Sequence, residues 1–420
     1  MGRKTVSFPF LFMIFLFGVF NCTGSNTAGA ADFKYGAALR QNVLLLHRPP
    51  GMDKLIMPER VLGISQSSLR VYEDATWGKV ALSAAVETRM SFSSSSGGMF
   101  GLFSRGGSIF GTGKPLEHWD VTFDHVAESS TDMRTRLERL DLCGSFGSYD
   151  FDLGRQPVSL GTSHFIGVLD VVAPFAPGDL DATYKPGVDA LRLRRGVGMT
   201  GEAELIGVGG RPWDYGAILG RFRSSVKGID IELVGGRFRR RGFGGIGWEG
   251  GIGDYSVWGE LALFERKKNE EIWRGGWSEA AFSGVAGIDV NLPADIKAGG
   301  AFMFQDFGVR DPGELSTVYS DAPFREGWAF LASAGYGLVT VHRQMHPLVN
   351  ADLAGLVNLV DGSTLWQPML TISAGNNADV NLYGWIGTGE KNTITPVHVT
   401  MRSEFGALPS GAGFYARWFF

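Results

Sequence analysis

Apolar and polar residues alternate along most of this chain with a period of two. In the stretch "YDFDLGRQ", for example, Tyr149, Phe151 and Leu153 alternate with Asp150 and Asp152. A period of two is typical of a β-strand that has one apolar and one polar face. Similar segments recur at short spacing to the end of the chain, separated by turn-forming residues, and no comparable helical period follows the first 30 residues. The pattern therefore predicts an all-β protein.

The composition of the two faces indicates which kind of all-β protein this is. The apolar faces are rich in Phe, Tyr, Trp and Leu, and aromatic residues such as Trp77, Trp328 and Trp366 cluster at predicted strand ends. An apolar exterior, aromatic girdles and a polar lumen describe a transmembrane antiparallel β-barrel. A secreted glycine-rich solenoid would need a fixed repeat, and the sequence contains none. We predict a barrel of about 16–20 strands, with an even number expected of a bacterial single-chain barrel.

The last ten residues, "GAGFYARWFF", are aromatic almost to the free carboxylate. Phe414, Trp418 and Phe420 share one face there, which predicts a lipid-facing last strand that closes against the first. A last strand that ends in Phe resembles the terminal signature of Gram-negative outer-membrane barrels. The resemblance implies an outer-membrane location, with Trp418 and Phe420 as the membrane-assembly signal that the barrel assembly machinery reads.

The first 30 residues predict an exported protein. A basic start, an apolar run from Phe8 to Phe20 and a small-residue site at residues 28–30 follow the order of a cleavable signal peptide. The apolar run is too short for a comfortable membrane-spanning helix, which needs about 20 residues. We therefore expect residues 1–30 to be removed, and residues 31–420 to cross the periplasm and form the barrel.

Composition and charge exclude several classes of function. Gly accounts for 61 of the 420 residues, about twice the usual share, which suits tightly bent strands and crowded lumen positions. A net charge of −4 does not suggest nucleic acid as a partner. Cys143 is the one cysteine beyond the predicted signal peptide, so no internal disulfide is expected, and no CxxCH haem-attachment motif occurs. The sequence therefore predicts no cofactor.

Two long segments between predicted strands are the candidate loops, Ser93–Glu117 and residues 160–190. The second contains several prolines and apolar residues, which favour a loop that folds into the lumen and narrows it. Counting strands from the N-terminus, however, places this segment on the short-turn side of the barrel. Either one of the segments between Trp119 and Cys143 is misread as a barrel strand, or the loop folds inward.

The residues around this loop carry a family resemblance. The run "GRQPVSLG", which begins at Gly154, is followed by "LDVVAPF", the acidic "GDLD" and "YKPGVDALRL". This order, from Gly154 to Arg194, resembles a stretch of porin-like outer-membrane proteins, which include proteobacterial barrels related to the alginate-export type. The resemblance implies a channel and leaves the solute open.

Charged side chains near this loop are the candidate pore lining. An arginine that faced lipid at mid-membrane would cost about 2–4 kcal/mol, so the arginines that alternate with apolar residues should face the lumen. The predicted lining consists of Arg192, Arg194, Arg221, Arg223, Arg237 and Arg239 on the wall and of Asp170, Asp179, Asp181 and Asp189 in and after the loop. Rings of arginine favour anions. The alternative is that these arginines only neutralise neighbouring carboxylates and lipopolysaccharide.

Other functions have weaker support in the sequence. His342 and His346 would lie far apart on a strand, Asp124 and His125 would point to opposite faces, and no GxSxG elbow occurs, so we expect neither a metal site nor an enzyme. The leading hypothesis is a monomeric or trimeric porin for small solutes, with a preference for anions, in contact with outer-membrane lipid and lipopolysaccharide. The second hypothesis is an outer-membrane sheath that holds a multihaem cytochrome encoded by a separate gene.

Overall fold

The computed structural model describes residues 32–54, 57, 59–94, 116–175, 184–266, 279–395 and 399–420. The predicted signal peptide and most of the predicted loop Ser93–Glu117 therefore lie outside the described residues. Nineteen strands form one antiparallel sheet, and 18 of them close into a barrel. The predicted all-β barrel is confirmed, with a strand number inside the predicted range.

The barrel strands follow one another in chain order, each antiparallel to the next. They are β1 (Asp32–His47), β2 (Val61–Trp77), β3 (Val80–Ser93), β5 (Thr131–Phe146), β6 (Tyr149–Gln156), β7 (Val188–Val197), β8 (Gly201–Val208), β9 (Ala217–Val226), β10 (Ile229–Phe238), β11 (Arg241–Ile252), β12 (Tyr255–Glu265), β13 (Ala280–Leu292), β14 (Ile296–Gln305), β15 (Gly335–His346), β16 (Val349–Asn358), β17 (Thr364–Gly375), β18 (Ala378–Thr388) and β21 (Ser410–Phe419). Two short strands, β19 (Thr393–Ile394) and β20 (Val399–Thr400), pair with each other in the loop before β21.

Closure of the barrel joins its first and last strands. β1 pairs with β21 from Ala38 opposite Phe419 to His47 opposite Ser410. Phe420 extends this seam, because it exchanges backbone hydrogen bonds of 2.8 and 3.1 Å with Ala37. Each of the 18 barrel strands therefore has a neighbour on both sides, which satisfies backbone groups that would otherwise face lipid.

The predicted alternation matches the two faces of the barrel. Leu191 and Leu193 are 52% and 40% exposed on the outside, whereas Arg192 and Arg194 between them point into the lumen. At the end of the chain, Phe420 is 73% exposed on the outside, as expected of a lipid-facing last strand. The exterior is therefore apolar and suited to contact with lipid.

A short strand, β4 (Thr122–Ala127), belongs to the sheet but not to the ring. It pairs with one end of β5, where Thr122 is opposite Arg136, while β6 pairs with the other end of β5. Without β4 in the count, the segment after Gln156 moves from the short-turn end to the long-loop end. The misread segment between Trp119 and Cys143 is therefore β4.

Two segments at the long-loop end fold into the barrel. The constriction loop joins β6 to β7, and its described residues are 157–175 and 184–187; the second inward loop, residues 306–334, joins β14 to β15. The second inward loop contains a 3-10 turn (Pro312–Glu314) and two single-turn helices (Leu315–Val318 and Ala322–Arg325); further 3-10 turns are Trp213–Tyr215 and Phe405–Ala407. Helices of this size in the described residues are too short to cross a membrane.

Candidate functional site: a constricted pore

A single buried carboxylate holds the constriction loop against the wall. Glu260, on the inward face of β12, is 0% exposed. Its Oε1 accepts hydrogen bonds from the backbone N–H groups of Thr162 and Ser163, both at 2.6 Å. Its Oε2 accepts those of Val168 and Leu169, at 2.7 and 3.0 Å. Four donors satisfy a charge that burial would otherwise make costly, so the loop is fixed inside the lumen.

Gly161 allows the loop to approach this carboxylate closely. Its backbone φ is +92°, and a Cβ at this position would lie 2.3 Å from Glu260 Oε1. Glycine is the residue that adopts this conformation without strain and leaves the space open. Nearby, the Gly161 N–H donates to Glu232 and the Arg221 guanidinium donates to the Ser159 carbonyl, both at 2.9 Å. The start of the loop is therefore bound to β9, β10 and β12.

The tip of the constriction loop is held by the side chain of His164. His164 Nδ1 lies 2.7 Å from Asp289 Oδ2 on β13, and Nε2 lies 2.9 Å from Glu249 Oε1 on β11. The imidazole also packs on Trp258, whose indole N–H donates to Asp289 at 3.1 Å. The side chain of His164 therefore bridges two strands of the wall, β11 and β13.

The second inward loop packs against the barrel wall through aromatic rings. Trp328 stacks on Phe264 of β12 at 4.5 Å between ring centroids and lies edge-on to Phe307 at 5.6 Å. Arg241 and Glu326 form a buried ion pair of 2.7 Å beside this cluster. The sequence pattern assigned Trp328 to an aromatic girdle, whereas the structure places it inside the barrel, where the loop carries it.

A cavity of about 550 Å³ remains between the constriction loop and the wall formed by β15 to β18. On the loop side it is bordered by His164, Phe165 and Asp170, among others, and on the wall side by His342, Asp352 and Trp385. His342 and Asp352 pair across β15 and β16 at 2.7 Å. Within the described residues, the lining includes no arginine or lysine.

Four of the predicted arginines lie on the lumen wall, and each is paired with a carboxylate. This wall extends from β6 to β9, on the side away from the cavity lining described above. The pairs are Arg192–Glu204 (2.6 Å), Arg221–Glu204 (2.5 Å), Arg194–Asp152 (2.7 Å) and Arg223–Glu202 (2.6 Å). Their carboxylate partners balance much of the positive charge that the sequence predicted for this wall.

Arg237 and Arg239 lie elsewhere than predicted. Arg237 is opposite Ile218, which is 65% exposed on the outside of the barrel, and Arg239 lies in the turn after β10 with φ +46°. The prediction assumed that Phe238 faces lipid. Instead, Phe238 is 0% exposed and packs edge-on to Trp328. The second inward loop therefore reverses the usual apolar-out pattern at this end of β10.

The predicted acidic residues are not brought together. Asp170 borders the cavity and pairs with Lys185 of the same loop, and burial raises the pKa of Asp170 to about 6 despite this lysine. Asp189 accepts hydrogen bonds from Arg155 and from two backbone N–H groups at residues 118 and 119. Asp179 and Asp181 lie outside the described residues. No cluster of His, Cys, Asp and Glu within the described part of the chain could hold a metal ion.

Sequence reasoning missed two inward arginines on β1 and β2. Tyr184 of the constriction loop packs over Arg40 and Arg70, at 5.3 and 4.3 Å from the ring centroid. Arg40 pairs with Glu87 at 2.7 Å, whereas Arg70 is 4% exposed and forms no ion pair with the described residues. The alternation of the sequence could have identified Arg70. Its neighbour Leu69 points outward and is 45% exposed, so Arg70 has to point into the lumen.

A closed 18-strand antiparallel barrel with an apolar exterior and a polar lumen narrowed by loops is the architecture of a Gram-negative outer-membrane porin. Solved structures share this fold. OccAB1 and OccAB3 of Acinetobacter baumannii align with TM-scores of 0.56 and 0.55, at 10% and 12% identity, over 93% of this chain and 96% and 99% of theirs. OccK5 (OpdH) of Pseudomonas aeruginosa aligns with a TM-score of 0.53 at 8% identity, over 92% of this chain and 98% of its own. At these identities the likeness shows the fold alone, and the sequence matches no family model and no curated protein.

Proposed function

We propose that the protein is a passive diffusion channel for small solutes. The observation that carries this proposal is the cavity of about 550 Å³ beside the constriction loop. A ring of 16 to 18 strands encloses an aqueous lumen in porins, and here the described parts of the two inward loops narrow the lumen and leave this cavity open. The size of the cavity limits the passage to small molecules.

Conductance of the refolded barrel in planar lipid bilayers tests the channel. We expect discrete opening steps, with heat-denatured protein at the same concentration as the control. Folding is checked separately by the shift in gel mobility that boiling produces in intact barrels. A barrel that shows this shift and never opens a pore would overturn the proposal.

A preference for anions is supported by Arg70 more than by the ion-paired wall. Its guanidinium lies under Tyr184 of the constriction loop and forms no ion pair with the described residues, and arginine charge in a pore favours anions. Under a salt gradient, we expect a reversal potential biased toward anions and a clear loss of that bias in Arg70→Gln. Arg223→Gln is the matched control, because Arg223 is 48% exposed near the short-turn end and should change the potential less. Equal shifts in both variants would contradict the assignment.

The sheath hypothesis has less structural support than the channel. Both inward loops occupy the long-loop half of the lumen, where a multihaem cytochrome would need space. Purification from native membranes provides the test, because a co-purifying protein with haem absorbance would favour the sheath. A colourless barrel that conducts ions would favour the channel.

Self-association into a trimer is part of the same proposal. Gln41 contacts Ser65 and Ser67 at 3.0 and 2.5 Å on the outward face of β1 and β2, where Leu39 and Leu69 are exposed. Hydrogen-bonding side chains on a membrane-facing surface commonly lie between associated segments. Native mass spectrometry should show trimers for the wild type and monomers for a Gln41→Leu, Ser67→Ala double variant. Monomers in both would exclude the trimer and leave the channel proposal unaffected.

A further inference from the structure

Arg237 is a predicted pore residue that the structure places on the outside of the barrel. Its side chain is exposed near the long-loop end of β10 and forms no ion pair with the described residues. A recess in the lipid-facing surface lies directly below it. We propose that Arg237 and this recess bind one molecule of lipopolysaccharide, with a phosphate of the lipid headgroup on the arginine and acyl chains in the recess.

Arg237 lies at the height of the lipid headgroups. The outward residues of β10 begin with Ile229 at the short-turn end and finish with Arg237, eight residues later. At about 3.4 Å per residue and a tilt of about 40°, this distance corresponds to about 20 Å along the membrane normal. The arginine is therefore near the edge of the apolar band, where facing lipid costs it little. Since the longer loops of such barrels are extracellular, this edge belongs to the outer leaflet, which contains lipopolysaccharide.

The described carboxylates near Arg237 are engaged by other groups. Arg237 is opposite Gly242 of β11, and the Gly242 N–H donates to Glu265 at 2.7 Å. Asp214, in the loop before β9, pairs with Arg240. The Arg237 guanidinium therefore keeps its donors for an external anion, and a phosphate accepts two parallel hydrogen bonds from this group.

Three glycines on neighbouring strands form the recess, which we call the lipid groove. Gly235 of β10 is opposite both Gly220 of β9 and Gly244 of β11. Leu205 of β8 and Leu263 of β12 continue the same row and form the two sides of the groove, at 55% and 53% exposed. The sides are four strand spacings apart, about 19 Å, so the groove is wider than one acyl chain and suits a lipid with several.

The barrel itself does not require glycine in the lipid groove. A Cβ at Gly220, Gly235 or Gly244 would meet one backbone oxygen at 3.7 to 3.8 Å, which is ordinary contact, and none of the three has a left-handed φ. Gly236 differs, because its φ is +151° and a Cβ there would lie 2.1 Å from the Ile218 carbonyl oxygen. Glycine weakens a strand, and its use inside one is often the close approach of a ligand. The open backbone is therefore explained by an occupant of the groove.

Charge and position favour a lipid over a second copy of the chain. The groove is apolar and ends at an arginine, which matches acyl chains below a phosphorylated headgroup. The contact proposed for the trimer lies on β1 and β2, on the opposite side of the 18-strand ring from β10. A trimer formed there would leave the lipid groove facing the membrane.

Native mass spectrometry of the refolded barrel in detergent tests the site, with diphosphorylated lipid A or phosphatidylglycerol added. We expect the wild type to retain one lipid A in preference to phosphatidylglycerol. Arg237→Gln removes the phosphate partner and Gly235→Leu fills the groove, so each should lower the retained fraction several-fold. The matched controls are Arg343→Gln, an exposed arginine near the short-turn end of β15, and Gly300→Leu, at an outward glycine of β14 with open space above it. Both controls should retain lipid A as the wild type does.

The shift in gel mobility on boiling shows first that each variant is folded. Lipid A that is absent from the wild type, or equally retained by all four variants, would overturn the site. Equal retention of phosphatidylglycerol would overturn the assignment to lipopolysaccharide. A dimer that Gly235→Leu separates would show that a second copy covers the groove, which would also overturn the proposal. None of these outcomes depends on whether the barrel conducts.

Discussion

At the scale of single residues, the width of the pore depends on how buried charges are satisfied. Glu260 is a fully buried carboxyl group, and the backbone N–H groups of the constriction loop supply the hydrogen-bond donors that its two oxygens need. Arg192 and Arg194 also point into the lumen, but carboxylates of the neighbouring strands neutralise their charge, so these arginines contribute little to the selectivity of the pore. A charged residue in the lumen therefore has to be judged with its partner, and the partner is set by the register of the strands.

Glu260→Gln is expected to loosen the constriction loop. A Gln side chain offers one carbonyl oxygen and turns an NH₂ group toward two backbone donors, so two of the four N–H groups lose their acceptor, at about 1–3 kcal/mol each. Single-channel recordings should show a larger and noisier conductance than the wild type. Glu202→Gln is the control, since Glu202 belongs to an exposed ion pair worth about 0–1 kcal/mol. Conductance in Glu260→Gln that matches the wild type would refute the anchoring role.

At the scale of elements, one buried carboxyl group joins three segments at the long-loop end. Glu404, which precedes the 3-10 turn Phe405–Ala407, accepts hydrogen bonds from the Ala332 N–H (2.8 Å), the Tyr336 hydroxyl (2.5 Å) and the Asn358 amide (2.8 Å). These partners belong to the second inward loop, β15 and β16. The second inward loop is therefore held by a contact of its own, separate from the Glu260 anchor.

This contact is expected to weaken as the pH rises. Burial raises the pKa of Glu404 from its ordinary 4.5 to about 7, so the folded segment binds a proton that the unfolded segment releases between these values. Stability of the contact is therefore complete below about pH 4.5, falls as pH approaches about 7 and is constant above it. Exchange protection of residues 332–333, corrected for intrinsic rates, should be higher at acidic pH, and Glu404→Gln should remove the difference. Protection that increases with pH would contradict this account.

At the scale of the whole molecule, closure of the barrel depends on the end of the chain. Phe420 shares two backbone hydrogen bonds with Ala37, beyond the ten residue pairs that join β1 and β21. The seam therefore survives in large part without Phe420, although the outward aromatic ring at its end is lost. The predicted assembly signal formed by Trp418 and Phe420 can thus be tested apart from the stability of the fold.

Deletion of Phe420 is expected to reduce assembly in cells more than refolding in detergent. The reason is that the remaining seam supports the barrel, whereas a machinery that reads the predicted signal would lose the last aromatic residue of that signal. The amount of heat-modifiable barrel in outer-membrane fractions and in refolding reactions measures the two effects. Phe146→Ala removes another exposed aromatic ring, 82% exposed at the short-turn end, and should leave both amounts unchanged. An equal loss in both variants would argue against a role specific to the chain end.

The sequence by itself determined the class of fold and the outward face. Alternation with a period of two is a local property, so the outward Leu191 and Leu193 and the lipid-facing end of the chain could be read directly. For the segment after Gln156, apolar residues and prolines favoured an inward fold, and the sequence left open whether a neighbouring segment was misread instead. The sequence could predict the number of strands only as a range. The reason is that β4 has the alternation of a barrel strand and differs from one only in its pairing with β5.

The tertiary structure decided which of those inward residues act in the pore. Whether Arg221 is balanced depends on Glu204 of the adjacent strand, and whether Phe238 faces lipid depends on Trp328, which arrives from a loop far along the chain. The bridge that His164 makes to Asp289 spans 125 residues of sequence. Such pairs follow from strand register and loop placement, which bring together residues that no local pattern relates. The local pattern of the sequence therefore predicts the barrel, whereas the constriction of its pore depends on contacts between residues far apart in the sequence.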